Sequence, residues 1–270
     1  MTLETARDAA PFTPLGKIAD ALGADALDPA ARERAHALAA QLDPYTERMT
    51  SAPSDALSAL EEATRSENWD QRHEEAATSL PLQQTMLSGH VEGQFLSTLI
   101  RFGRARRALE IGMFTGYGAL AMAEAMPDDG TVVALEIDEY AARFAQTHFD
   151  TSPHGHKIDV RLDEAARALA KLGEEGQPFD FIFIDADKGG YIDYYEAILT
   201  HALLAPDGLI CVDNTLLGGE AYLGEAELAQ PRSANGEAIA DFNNHVARDI
   251  RTEQVMLPVR DGVTLIQRAR

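Results

Sequence analysis

The sequence has one cysteine, no long apolar run and no hydrophobic segment near its first residues. Cys211 cannot form an internal disulfide, so a reducing compartment is compatible with the chain. No apolar stretch reaches the length that crosses a bilayer. The opening stretch "MTLETARDAAPFTP" lacks the apolar core of a signal peptide. We therefore expect a cytoplasmic protein that does not bind a membrane.

Basic residues are also scarce. The chain has 23 Lys and Arg against 44 Asp and Glu, for a formal net charge of −21. Binding to phosphate backbones requires a basic surface, so this balance argues against a nucleic-acid partner. The 45% hydrophobic and 25% charged residues are typical of a globular protein. A chain of 270 residues can bury a large core, in one elaborated domain or in two domains.

The pattern along the chain predicts three regions. Residues 1–14 are expected to be a flexible tail, 15–85 a helical extension and 86–270 a cofactor-binding domain. Helices are expected to start at Asp28-Pro29 and after Ser54. From Arg106 onward, helices alternate with strands, namely "RALEI", "TVVALEI", "KIDVRL", "FDFIFID", "GLICVD", "EQVMLPV" and "GVTLIQR". This alternation predicts an α/β fold with a doubly wound, mostly parallel seven-stranded sheet.

Polar residues follow four of the predicted core strands. The strand ends carry Glu110 and Gly112, then Glu136 and Asp138, then Asp185, Asp187 and Lys188, and finally Asp213 and Asn214. Ligands of doubly wound sheets bind beyond the carboxyl ends of the strands. Buried acids are costly unless a partner or a metal balances them. A ligand site is therefore expected at this edge.

The turn after the first strand indicates which cofactor binds. Gly112, Gly116 and Gly118 give the spacing G-x-x-x-G-x-G, not the dinucleotide pattern G-x-G-x-x-G, which disfavours a nicotinamide dehydrogenase. A carboxylate at Glu110 would repel a phosphate and suits a cationic group. Glu136 can accept hydrogen bonds from ribose hydroxyls. The cofactor with these properties is S-adenosylmethionine; the alternative is a turn that serves packing alone.

Five blocks of the chain resemble the cation-dependent O-methyltransferases of the caffeoyl-CoA and catechol type. They are "EIGMFTGYGALAMA", "ALEIDEYAARFA", "FDFIFIDADKGGYIDYY", "GLICVDNTLLGG" and "LPVRDGVTLIQR", and "MLSGHVEGQFLSTLI" is similar to the segment before the first strand of that family. The resemblance covers residues 86–270 in order. It implies a Rossmann-like class I methyltransferase, a substrate with two neighbouring oxygens and, as is common among the relatives, a homodimer.

The resemblance also implies a metal site and a general base. Asp185, Asp213 and Asn214 match the residues that hold the divalent cation in the family. Their donors are all oxygens, which select Mg²⁺, our first choice, or Ca²⁺ or Mn²⁺ over zinc. Lys188 matches the general base, and Asp185 is catalytic with it. For each acid the alternative is a helix N-cap, and Asp187 is a candidate for that role.

Further residues are implied to bind the cofactor. They are Met86, Ser88, Glu110, Gly112, Gly118, Glu136, Ala165, Asp185 and Tyr194. One departs from the family, because its members usually have serine at the position of Gly118. Asp163 also replaces a usual small residue close to Ala165.

A finer likeness concerns the substrate. "QLDPYTERMTSAPSDALSALEEATRSENW" and "SANGEAIADFN" resemble the O-methyltransferases of mycosporine-like amino acid biosynthesis, which convert 2-demethyl-4-deoxygadusol to 4-deoxygadusol. Two alternatives stay open: a phenolic substrate such as a catechol or a caffeoyl ester, and a non-catalytic cofactor-binding module. For the polar gadusol ring we expect contacts from the extension, His90 and the loop 216–232.

Overall fold

The computed structural model describes residues 29–228 and 230–270, in two compact units. The first unit spans Met1–Ala52, and its described part holds helix α1, Pro29–Met49. The predicted tail and the part of the predicted helical extension before residue 29 lie outside the described residues. The second unit, Pro53–Arg270, contains all the features discussed below.

The second unit has eight helices and seven strands in its described part. They are α2 (Asp55–Ser66), α3 (Trp69–Glu74), α4 (Gly89–Gly103), β1 (Arg107–Ile111), α5 (Tyr117–Ala125), β2 (Thr131–Glu136), α6 (Glu139–Phe149), β3 (Ile158–Leu162), α7 (Ala165–Glu175), β4 (Phe179–Ile184), α8 (Tyr191–Thr200), β5 (Leu204–Val212), α9 (Ala234–Arg248), β6 (Thr252–Leu257) and β7 (Val263–Arg268). All seven predicted strands are present. Across the described ranges of both units, none of the helices is long and apolar enough for a membrane crossing.

The strands form one sheet in the order β3-β2-β1-β4-β5-β7-β6. The first five strands are parallel, and β7 runs antiparallel between β5 and β6. The order reverses between β1 and β4, which is the switch point where doubly wound sheets bind their ligands. The predicted fold class is confirmed.

Helices cover both faces of this sheet. In β1, Ala108 belongs to a hydrophobic cluster that includes residues of α2, α4, α5 and α6, and Leu109 belongs to a second cluster that includes residues of α7, α8 and α9. Strand β4 is buried on both sides, as its continuous apolar run predicts. The buried sheet holds the carboxyl ends of its parallel strands in fixed register, so the residues that follow those strands meet at one edge.

The segment before residue 86 is part of this core from Pro53 onward. Ser54 caps α2 by accepting the Leu57 N–H at 3.1 Å, as predicted, and Leu60 is fully buried. The Trp69 ring lies 5.0 Å from the ring of Phe114, measured between centroids. The predicted boundary at residue 85 therefore falls inside the second unit.

One helix is shorter than its sequence suggests. The apolar pattern predicts a helix that continues to Leu203, but α8 ends at Thr200. Ala202 takes a left-handed φ of 52°, and the Leu203 N–H donates to the Ile198 carbonyl at 2.9 Å. The chain must turn here because β5 begins at Leu204.

Candidate active site

A cavity of about 750 Å³ lies beyond the carboxyl ends of β1, β2, β4 and β5. Ten of the predicted site residues line it: Met86, Ser88, Gly112, Glu136, Ala165, Asp185, Lys188, Tyr194, Asp213 and Asn214. Apolar walls come from Leu80, Leu82, Phe114, Leu135 and Ile137. The topology thus brings residues from six segments of the chain to one site.

Gly112 allows the loops after β1 and β4 to approach closely. It has a φ of +91°, and a Cβ at this position would lie 2.1 Å from the Asp185 carbonyl oxygen. A side chain would therefore meet both backbone strain and a clash. The absence of a side chain places Asp185 directly beside the turn that follows β1.

Glu136 fixes the turns around the cavity as well as facing it. Its Oε2 accepts the Phe114 N–H at 2.6 Å, and its Oε1 accepts the N–H groups of Ile137 and Asp138, both at 2.8 Å. Burial raises the pKa of Glu136, and these three hydrogen bonds oppose the rise. A carboxylate has about four acceptor positions, so capacity for a ligand hydroxyl is left mainly on Oε2.

Two predicted cofactor residues, Glu110 and Gly118, are not among the described residues that line the cavity. They lie against each other: a Cβ on Gly118 would be 2.2 Å from the Glu110 Oε1 atom. The glycine therefore leaves the space that the Glu110 carboxylate fills. Glu110 is 1% exposed, and its Oε2 atom has no hydrogen-bond partner among the described residues. Their contact with the cofactor stays a prediction.

Glu110→Gln is expected to stabilise the cofactor-free protein at pH 8. Burial raises the pKa of Glu110 well above the ordinary 4.5, and the charges of Asp185 and Glu136 raise it further. The folded protein then keeps a proton that the unfolded chain releases. The stability from this proton is complete below pH 4.5 and is lost as the pH rises toward the folded pKa. Removing the charge should therefore flatten the fall of Tm with pH.

Thermal unfolding of the cofactor-free protein between pH 5 and pH 8 measures this effect. A gain of about 1 kcal/mol would raise Tm by roughly 2–4 °C in a domain of this size. Glu139→Gln is the matched control, because the Glu139 side chain is 67% exposed. Equal pH slopes in the wild-type protein and Glu110→Gln would contradict the prediction.

The predicted metal ligands Asp185, Asp213 and Asn214 lie together at the ends of β4 and β5. Asp213 is 4% exposed, and its Oδ1 atom has no hydrogen-bond partner among the described residues. Burial, followed by the charge of Asp185, raises the pKa of Asp213 to about 7. Asn214 takes a left-handed φ of 58°. An unpartnered buried oxygen beside a second carboxylate and an amide fits a hard divalent cation.

Lys188 is held within this group of oxygens. Its Nζ donates to Asp185 Oδ1 at 3.0 Å and to the Tyr191 hydroxyl oxygen at 2.8 Å. Asp187 does not cap the helical turn after it, because its side chain accepts from the Tyr194 hydroxyl instead. The amine thus lies between the predicted metal ligands and a buried tyrosine, where it can reach a bound hydroxyl.

Sequence reasoning missed several charged residues of the cavity, and Glu92 and Arg260 are two of them. Glu92 belongs to the buried stripe of α4, together with Gly89, Gly93 and Leu96. Glu92 could have been identified from the sequence because it is an acidic residue at a helix position that faces the core. Arg260 lies in the loop between β6 and β7, for which the sequence gives no comparable signal.

A second group of potential metal ligands lies elsewhere. Glu196, His245 and Asp249 form a partly exposed cluster. The Arg251 guanidinium already binds two of them, donating to Glu196 Oε1 and Asp249 Oδ2, both at 2.6 Å. His245 Nε2 lies 2.7 Å from Glu196 Oε1. These contacts account for the cluster without an ion.

Comparison with curated proteins identifies plant methyltransferases as relatives. The chain is 39% identical to a caffeoyl-CoA O-methyltransferase 2 of Zea mays over 183 residues, which cover 66% of this chain and 69% of that protein. It is also 39% identical to the caffeoyl-CoA O-methyltransferase of Petroselinum crispum over 181 residues, which cover 66% and 74%.

Solved structures with the same fold include microbial methyltransferases. The SAH-bound methyltransferase PaMTH1 of Podospora anserina superposes with a TM-score of 0.72 at 27% identity, covering 86% of this chain and 95% of that one. The O-methyltransferase TomG of Streptomyces achromogenes, involved in tomaymycin synthesis and in complex with SAM, gives 0.68 at 26% identity, covering 85% and 96%.

A family profile described as O-methyltransferase matches residues 61–269. The match begins inside α2 and continues through β7, so it includes the whole cavity edge of the sheet. The profile, the curated relatives and the cavity agree with the resemblance found in the sequence. The chain belongs to the O-methyltransferase family.

Proposed function

We propose that the protein transfers the methyl group of S-adenosylmethionine to an oxygen of a small molecule with two neighbouring oxygens, with the help of a divalent cation. The observation that carries this proposal is the oxygen-only group Asp185, Asp213 and Asn214 beside Lys188 in the cavity. The donor assignment is supported by Glu136 at the end of β2 and by the two relatives solved with SAH and with SAM.

The residues have separate roles in this proposal. Asp185, Asp213 and Asn214 would hold the cation, which when bound acidifies a substrate hydroxyl and fixes its position. Lys188 would accept the hydroxyl proton, oriented by its hydrogen bonds to Asp185 and Tyr191. Glu136 and the turn at Gly112 would hold the cofactor so that its methyl group faces the deprotonated oxygen.

We further propose 2-demethyl-4-deoxygadusol as the substrate, which would be methylated to 4-deoxygadusol. Its ring is puckered and hydroxylated, so its site needs polar groups beyond the metal ligands. Glu92, Asn235, Arg260 and Asp261 line the cavity and supply them. Of the groups that the sequence suggested, the extension lines the cavity through Leu80, Pro81, Leu82 and Thr85, His90 does not line it, and the described residues of the loop 216–232 contribute Leu217 alone.

A phenolic substrate is the second candidate. The 39% identity to two caffeoyl-CoA O-methyltransferases favours it. The apolar walls formed by Leu80, Leu82 and Ile137 are also compatible with a flat aromatic ring. A non-catalytic module is disfavoured, because Asp185, Lys188, Asp213 and Asn214 are all present at the cavity.

The purified protein is expected to methylate 2-demethyl-4-deoxygadusol with a kcat/KM at least tenfold above that for catechol or caffeoyl-CoA. A tenfold preference corresponds to about 1.4 kcal/mol, which one or two polar contacts can provide. Methyl transfer from labelled S-adenosylmethionine with Mg²⁺ present measures the three rates. If catechol is the better substrate by tenfold, the gadusol assignment is wrong and the O-methyltransferase assignment is unaffected.

A further inference from the structure

Glu92 is a buried carboxylate that the roles given above do not use. It is 1% exposed, and neither of its side-chain oxygens has a hydrogen-bond partner among the described residues. An ionised group in this position requires a nearby cation.

Arg260 is that cation. Its Nε lies 3.3 Å from Glu92 Oε2, and its side chain is 41% exposed. The backbone of Arg260 takes a left-handed φ of 49°, which is uncommon for a residue other than glycine and is often retained at functional sites. The ion pair leaves the terminal N–H groups of the guanidinium without a hydrogen bond to any described residue, so they are available to a ligand.

The loop that carries Arg260 is fixed to the end of β5. The Gly218 N–H donates to Asp261 Oδ1 at 2.7 Å, and the Leu216 N–H donates to the Asp261 carbonyl oxygen at 2.9 Å. A Cβ on Gly262 would lie 2.4 Å from Leu216 Cγ. The backbone next to Arg260 is therefore tied to the segment that follows β5, beside the metal-site edge.

A divalent cation would make the charges close to Glu92 and Asp213 favourable for a negatively charged substrate. The charges that act most strongly on these two residues include those of Asp185, Lys188 and Arg260. In this group three acids face two bases, so a bound divalent cation would make the group positive; Asp187 and Asp261 line the same cavity. Lys188 and Arg260 are the two bases among the described residues that line the cavity, and Lys188 is engaged by Asp185.

We propose that Arg260 is a specificity-determining residue that binds an ionised oxygen of the substrate, with Glu92 as the residue that positions its guanidinium. The pair would select an acidic enediol-ketone, which carries a negative charge in neutral solution, over a catechol, which is neutral there. This inference rests on the proposed methyl transfer and names the chemical class of its substrate.

Arg260→Gln tests the inference with two substrates. Loss of a hydrogen bond to a charged group should lower kcat/KM for 2-demethyl-4-deoxygadusol by about ten- to a hundredfold, through KM. The kcat/KM for catechol should change by less than about twofold, because no ionised oxygen is lost as a partner. Guanidinium chloride added to the variant should partly restore activity with the acidic substrate.

Arg106→Gln is the matched control. It removes one positive charge from a protein of net charge −21, as Arg260→Gln does. Arg106 is exposed and precedes β1, so it lies at the edge of the sheet opposite to the cavity. It should leave the ratio of the two kcat/KM values unchanged. A double-mutant cycle with Glu92→Gln should show that the second substitution adds no further rise in KM for the acidic substrate once Arg260 is absent.

Two results would overturn the inference: equal losses with both substrates in Arg260→Gln, or no loss with either. A wild-type protein that methylates neither compound would instead contradict the proposed function. Calorimetric binding of 2-demethyl-4-deoxygadusol to the wild-type and Arg260→Gln proteins, each saturated with S-adenosylhomocysteine and Mg²⁺, still decides the role of Arg260 in that case. Equal affinities would reject it.

Discussion

Asp213→Asn is expected to lower methyl transfer by roughly a thousandfold, because a lost metal ligand removes several kcal/mol of transition-state stabilisation. The substitution keeps the size of the side chain but removes the charge that the unpartnered, buried Oδ1 atom offers to a cation. The affinity for S-adenosylhomocysteine should stay within about twofold of wild type, equivalent to less than 0.5 kcal/mol. Steady-state assays and calorimetry measure the two quantities.

Asp207→Asn is the control for this substitution. It makes the same change in β5, at an exposed position away from the carboxyl end of the strand, and both quantities should equal those of the wild type. Titration of the cofactor-saturated proteins with Mg²⁺ should show weaker binding in Asp213→Asn than in either reference. Undiminished activity in excess EDTA, or a fully active Asp213→Asn protein, would reject the metal site.

The sequence was sufficient to predict the sheet and the residues at its edge. The sequence of β4 is a continuous apolar run because both faces of the strand are covered. The segments before and after it have apolar residues at helical spacing, which distinguishes them from the strand. Parallel strands end at one edge, so Asp185 and Asp213 could be placed together without knowing any side-chain position. Both predictions depend only on the spacing of apolar residues and on the order of strands and helices, and both can be read from the sequence.

The contacts missed by sequence reasoning depend on packing between distant segments. Glu92 reaches the site only because α4 packs on the face of the sheet that places it beside Asp213. The position of the Glu110 carboxylate beside Gly118 is a second such packing contact. Such contacts depend on side-chain rotamers and helix positions, which residue spacing does not specify.

Lys188→Met is expected to lower kcat by about 10²- to 10⁴-fold, the usual contribution of a general base. Methionine keeps the length and the apolar stem of the side chain but cannot accept a proton. The amine lies 3.0 Å from Asp185 Oδ1 and 2.8 Å from the Tyr191 hydroxyl oxygen, so it is placed to act on an oxygen held at the metal site. Single-turnover assays measure the chemical step, and calorimetry should show unchanged binding of S-adenosylhomocysteine.

Lys188→Arg separates the role of a base from the role of a positive charge. Arginine retains the charge and can still pair with Asp185, but it does not release a proton under assay conditions. If Lys188 is the base, Lys188→Arg should be nearly as slow as Lys188→Met. If Lys188 acts only by balancing Asp185, the arginine variant should recover most of the activity, and the base assignment is then wrong. Lys171→Met, which alters a lysine side chain that is 60% exposed, should leave the rate of the chemical step unchanged.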